Sequence, residues 1–391
     1  MSVSAAELRI GIVGAGGFAA FAAHAFQKVE GVKIVAVADT NELSASTLAA
    51  VYGACVYSTY ELFLKDDTVD VVYIATPPAL HYAQSKAGLL AGKNVICEKP
   101  AALTVHEAEE LVGLARDNKR LYVVNLMQRY NPLYQLVRRV IDENTLGDFT
   151  HGYFENYASD EALSPEHWFW DDSISGGIFI EHGVHFFDLF AGWLGQGELA
   201  FSARWKRPLV KGNVYDRAQA IVNYEKGPVS YYHAFDQPKI LDRQEIKLQF
   251  ERGDITLYGW VPVRIKVTGL FNHQNLGKLK KSLPGCSITT VETGRAGHET
   301  PGSLELNHDK SISEAHSATG RFKNISYDYM VIVESGNDSD KMQIYEQLLK
   351  CLIKDQWDWI LDSSVTRTID GRNAVESLRI AELSTTLAKC Y

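Results

Sequence analysis

Four features of this sequence bear side chains suited to chemistry: a glycine-rich turn, an aspartate twenty residues beyond it, a lysine between a glutamate and a proline, and a glutamate–histidine–aspartate cluster. The turn, Gly14-Ala-Gly16-Gly17-Phe18-Ala19, has the form G-x-G-x-x-A. In such a turn Gly14 permits the sharp bend, Gly16 lets a pyrophosphate approach the backbone, and small Ala19 lets the next helix pack closely on the strand. The helix start also offers unbonded N–H groups to an anion. Asp39 then stands where a carboxylate can accept bonds from both hydroxyls of an adenosine ribose. The same carboxylate would repel a 2′-phosphate, and no Arg or Lys follows it, so NAD is expected over NADP. The bland alternatives are an ordinary glycine-rich βα connection and, for Asp39, the start of a tight turn before Thr40-Asn41; the complete strand–turn–helix–strand context favours the dinucleotide reading.

Thr76-Pro77, with His81 just after it, and Glu98-Lys99-Pro100 each follow a run that reads as a strand. In an open parallel sheet the carboxyl ends of the strands border one crevice, so Gly14, Gly16, Gly17, Phe18, Ala19, Asp39, Thr76, Pro77, His81, Glu98 and Lys99 are expected to converge there. Gln128 follows a later strand and is a candidate nicotinamide contact. Downstream, Glu181, His185 and Asp188 fall at helical spacing, which would let the carboxylates orient the imidazole for acid–base work. The bland alternative is a histidine packed among Phe179, Phe186, Phe187 and Phe190. His182 and His185 lack the His-Glu-x-x-His order of a zinc protease, and no metal site is expected. Tyr157 and Trp168 belong to an aromatic neighbourhood on which a sugar-like ring could stack.

The elements that must position these groups are legible in outline. Short, nearly all apolar runs at 8–13, 33–38, around Val56, and at 69–75, 94–97 and 121–125 alternate with helical patterns at 18–29, 42–51, 80–91 and 105–116. That alternation predicts an α/β fold with a doubly wound parallel sheet. A helix over 132–144 leads out of it. Beyond residue 147 the pattern becomes half-buried strands at 150–157, 200–205, 218–224, 229–235, 245–251 and 263–267, which predicts a mostly antiparallel sheet. Two domains are expected, 1–130 and 131–391, with a polar excursion over 272–324 and helices over 340–354 and 371–387.

Composition sets the outer limits. With 39 Lys+Arg against 48 Asp+Glu and a net charge of −9, an electrostatic nucleic-acid binder is excluded. Five cysteines, odd in number and without a C-x-x-C pair, argue against a disulfide framework and for a reducing compartment. No apolar run approaches a membrane span and the first residues do not read as a secretory signal, so a cytoplasmic protein is expected.

Taken together, Gly14-x-Gly16-x-x-Ala19, Asp39, Thr76-Pro77 with His81, Glu98-Lys99-Pro100, Arg129-Tyr-Asn-Pro132 and Gly176-Gly177-x-x-x-Glu181-x-Gly183-x-His185-x-x-Asp188 resemble the glucose–fructose oxidoreductase/inositol dehydrogenase/rhizopine catabolism (Gfo/Idh/MocA) family. The resemblance implies a Rossmann domain followed by an α+β domain whose large open sheet mediates homodimers or homotetramers. It implies NAD(P)-linked hydride transfer at a hydroxyl or keto carbon of a sugar, sugar derivative or cyclitol. By position Lys99 matches the family's catalytic lysine and His185 its acid–base histidine, while Glu181 stands where Asp is usual. Two further readings are an NAD-retaining glycosidase that works through transient oxidation and a non-catalytic NAD sensor.

Overall fold

A computed structural model describes residues 7–161, 163–164, 166–207, 214–291, 316–319 and 324–391. Its first sheet has six parallel strands: β1 (Leu8–Val13), β2 (Val32–Ala38), β3 (Cys55–Tyr57), β4 (Val71–Ile74), β5 (Asn94–Cys97) and β6 (Tyr122–Val124). They are ordered β3-β2-β1-β4-β5-β6. Helices α1 (Gly17–Gln27), α2 (Glu42–Tyr52), α3 (Tyr60–Leu64), α4 (His81–Leu90) and α5 (Val105–Asp117) connect them. The order reverses between β1 and β4, and that switch point is where an open α/β sheet binds its ligand. Ile10, Ile12, Val71, Val72, Val95 and Ile96 are fully buried because helices cover both faces.

After α6 (Pro132–Asp142) the chain builds a second sheet. Its strands are β7 (Phe149–Tyr157), β8 (Gly197–Lys206), β9 (Tyr215–Tyr224), β10 (Gly227–Ala234), β11 (Arg243–Phe250), β12 (Gly253–Tyr258), β13 (Arg264–Phe271) and β14 (Ser287–Val291). A separate hairpin, β15 (His316–Thr319) with β16 (Asn324–Tyr327), precedes β17 (Tyr329–Gly336) and the short β18 (Lys389–Cys390). The ten-stranded order is β14-β17-β13-β12-β11-β7-β10-β9-β8-β18, antiparallel except where β7 meets β10 and β8 meets β18. Along β7 the buried residues alternate through Gly152, Phe154 and Asn156, the pattern of a sheet with one covered face.

Helices α7 (Asp172–Ser175) and α8 (Val184–Leu194) lie between β7 and β8. Later come α9 (His273–Ser282), α10 (Lys341–Leu361) and α11 (Gly371–Thr386). The last of these packs on α5 and on α8, and so backs both sheets. The polar stretch expected as an excursion from residue 272 is, through Val291, a helix and an edge strand. Leu276 and Leu279 anchor that helix on β13, two apolar positions that the surrounding lysines obscured. Residues 292–315 and 320–323 of the same stretch lie outside the described residues.

Candidate active site

The glycine turn is held by its own geometry. Gly14 has φ +90°, and a Cβ there would lie 2.6 Å from the Ala75 carbonyl oxygen, so β1 and β4 leave room for glycine alone. Gly16 and Gly17 face open space. Gly14→Ala is therefore expected to cost about 1–3 kcal/mol from strain and to weaken NAD(P) binding, read by thermal unfolding and by equilibrium dialysis.

The turn opens on a cavity of about 490 Å³ that Phe18, Ala19, Asp39, Thr76 and Pro77 also line. Asp39 accepts from the Ala15 N–H at 2.5 Å and the Asn41 N–H at 2.7 Å, so it braces the glycine turn and begins the next one at once. Two stretches not foreseen also line it, Tyr57–Tyr60 from the end of β3 to the start of α3 and Leu80 with Gln84 at and within the start of α4, and so does Trp168. Gln84 Oε1 accepts from the Thr76 hydroxyl at 2.6 Å, which fixes that loop. Trp168, expected to stack on substrate, thus stands in the wall of the cavity beside the glycine turn.

Other expected contacts are not among the residues that line this cavity. His81 is buried with Nδ1 2.7 Å from the Pro100 carbonyl and Nε2 2.7 Å from the Thr76 carbonyl, leaving neither nitrogen for a ligand. It ties the Thr76 and Lys99 loops together. Glu98 is also buried; it accepts from the Tyr73 hydroxyl and from Asn125 Nδ2 at 2.7 Å, and burial pushes its carboxyl up. Gln128 donates to the Trp260 carbonyl, and its buried Oε1 has no partner among the described residues. Tyr157 lies against Tyr232 with Arg243 4.6 Å above its ring.

Lys99 leaves the end of β5 and meets Glu181, donating to its main-chain oxygen at 2.8 Å and to its carboxylate. Both side chains are largely buried, at 18% and 12% exposure. Glu181 sits in a π-helical turn, Phe179–Gly183, that widens the start of α8; such turns recur at functional sites. His185 follows on α8, 4% exposed, with neither ring nitrogen bonded among the described residues. The carboxylates expected to orient it are engaged elsewhere. Glu181 takes Lys99, and Asp188 takes Arg129, whose Nε and Nη2 each lie 2.8 Å from its carboxylate. Both partners come from outside the helix, which spacing within one helix does not reveal. The His185 ring lies instead 5.1 Å from that of Trp260.

Burial, with the Lys99 charge added, pushes His185 well below the ordinary histidine range. His182 is lowered to about 3 by the same two causes, and His233 falls well below its ordinary value through burial and then His182. All three are neutral at pH 7. In the unfolded chain they protonate near pH 6.5, so the stability present above that pH should fall as pH drops from about 6.5 toward 3. Denaturant midpoints across that range check the sign; a midpoint rising on acidification would contradict it.

A parallel sheet with a glycine turn at its switch point defines a dinucleotide-binding architecture. The chain belongs to the GFO/IDH/MocA family: residues 8–126 match its NAD-binding Rossmann fold and residues 134–256 its C-terminal domain. Oxidoreductase P35 of Formosa agariphila is 28% identical over 254 residues, covering 63% of this chain and 78% of that protein. A glycosyl hydrolase family 109 protein of Shewanella amazonensis is 33% identical over 162 residues, 38% of this chain, and the match spans only 34% of that relative. Among solved structures, the WlbA dehydrogenase from Bordetella pertussis, in complex with NADH and UDP-GlcNAcA, superposes with a TM-score of 0.73 at 19% identity. It covers 98% of this chain and 97% of that one, a likeness of fold. No helix among the described residues is long and apolar enough to cross a membrane.

Proposed function

We propose that the chain is an NAD-dependent dehydrogenase or reductase acting on a CH–OH or keto carbon of a sugar, sugar derivative or cyclitol. The observation that carries this reading is His185: a buried imidazole with both nitrogens unbonded among the described residues, within electrostatic reach of Lys99. A buried polar group without a partner costs stability, and a substrate hydroxyl is a partner that would repay it. When bound, the nicotinamide supplies or accepts the hydride. In the oxidising direction neutral His185 takes the hydroxyl proton on a ring nitrogen. Lys99 has three donors, two of them on Glu181, and the third holds the oxygen as negative charge develops on it. Glu181 fixes the ammonium for that task.

The cavity suits the cofactor: open backbone at Gly16 and Gly17, and Asp39 where a ribose would lie. Asp39→Ala is expected to bring the NAD and NADP values of kcat/KM within about tenfold of each other, since one charge-assisted hydrogen bond is worth roughly 1.5–3 kcal/mol. An unchanged preference would remove Asp39 from cofactor selection. In this proposal residues 1–130 bind the cofactor, residues 131–391 bind substrate, and the second sheet joins two or four copies in the cytoplasm. Light scattering of the purified protein tests the assembly.

The test of the activity is reduced-nicotinamide absorbance when the protein and NAD meet a panel of inositols, aldopyranoses and sugar acids. Turnover establishes the reading. The 33% identity to a glycosyl hydrolase family 109 protein favours one second reading, an NAD-retaining glycosidase. Release of sugar from aryl glycosides without net NADH, and with cofactor copurifying, would support it instead.

A further inference from the structure

His182 and His233 meet Nδ1 to Nδ1 at 3.0 Å with perpendicular rings. Two neutral imidazoles at that distance share one proton, so one ring donates and the other accepts. His233 decides which. It is fully buried on β10, enclosed by the rings of Phe154, Phe179 and Phe186, and its Nε2 has no partner among the described residues. Were His233 the acceptor, its own proton would sit on Nε2 as an orphaned donor in an aromatic shell. Buried N–H groups without partners are rarer than unfilled lone pairs. His233 therefore donates, and His182 accepts at Nδ1. Burial and the Lys99 charge keep His182 from taking a second proton, so its only proton is on Nε2.

His182 directly follows Glu181, the residue that holds Lys99, and precedes His185 by one turn. It is half-buried, packed on Phe186 and Phe235, and none of the described residues claims its Nε2. We propose that His182 is a specificity-determining residue of the site, a neutral imidazole whose tautomer His233 fixes and whose Nε2–H donates to a substrate oxygen beside the reacting carbon. The donor is permanent: it discriminates for a hydroxyl, carbonyl or carboxylate oxygen at that place and against a deoxy analogue. His233 is the positioning residue behind it. The proposal rests on the oxidoreductase reading only for which carbon reacts, not for the tautomer.

The test uses the full chain, loaded with NAD and labelled with ¹⁵N-histidine. The expected spectrum shows His182 protonated at Nε2 and accepting at Nδ1, with the Nε2–H resonance moving when myo-inositol, D-glucose or D-glucuronate is titrated in. His233→Leu should mix the His182 tautomers, and His233→Gln, which keeps a donor, should restore the single one. With whichever of the three compounds reduces NAD, His182→Phe should raise its KM about tenfold, the worth of one hydrogen bond, with kcat and the KM for NAD little changed. A His182 proton on Nδ1, or an Nε2–H resonance that none of the compounds moves, overturns the proposal. An Nε2–H that responds while no compound is oxidised upholds the proposal and counts instead against the oxidoreductase reading.

Discussion

His185→Ala is expected to lower kcat for substrate oxidation by about 10²–10⁴-fold, the usual contribution of a positioned base. The KM for NAD should stay near its parent value, because His185 does not line the dinucleotide cavity. His185→Gln, nearer in volume, should lose as much turnover, which separates loss of the base from loss of packing against Trp260. Because burial holds the imidazole below its ordinary range, kcat/KM for oxidation should also stay level as pH falls through about 6.5. Stopped-flow NADH traces on the two variants decide the matter. A kcat within threefold of the parent would take His185 out of the chemistry.

The second large effect is on stability. Asp188→Ala should destabilise the fold by about 3–5 kcal/mol, the cost of leaving one member of a buried ion pair alone. The side chains of Arg129 and Asp188 are 13% and 1% exposed, and the guanidinium also donates to the Asp188 main-chain oxygen at 3.1 Å. Arg129 follows β6 and Asp188 lies on α8, so the pair ties the helix bearing His185 to the first sheet. Urea midpoints followed by circular dichroism and by NAD binding measure the loss; coincident transitions justify one free energy. An unchanged midpoint would mean that water or another residue replaces the carboxylate.

Much of this could be read from residue order, for reasons that differ by element. β5 begins and ends where the run 94–97 does, because Val95, Ile96 and Cys97 are covered on both faces and so must be apolar. The glycine turn was legible because backbone shape itself demands glycine at Gly14. Short or locally polar elements were not. β12 is hidden behind the Arg252-Gly253 turn signal, and α3 is a five-residue helix, too brief to show a period. Within the site, the types and positions of Lys99, Glu181, His185 and Asp188 were visible, but their pairing was not. Spacing along a helix reports neighbours on that helix alone, whereas Lys99 and Arg129 arrive from other strands' ends. Trp260 and the His182–His233 contact are likewise products of tertiary folding, with no local signal.

Helix α11 bears on the order of synthesis. Its Arg379 pairs with Glu109 at 2.8 Å, its Glu382 accepts from the Val105 N–H at 2.8 Å, and its buried side packs on α8. It leaves the ribosome after every residue named in the site. A nascent chain whose synthesis has reached residue 360 holds the glycine turn, Lys99 and His185, yet lacks the helix against which α5 and α8 rest. The glycine turn can thus form before α5 and α8 gain their support, and the emergence of α11 is the event that supplies it.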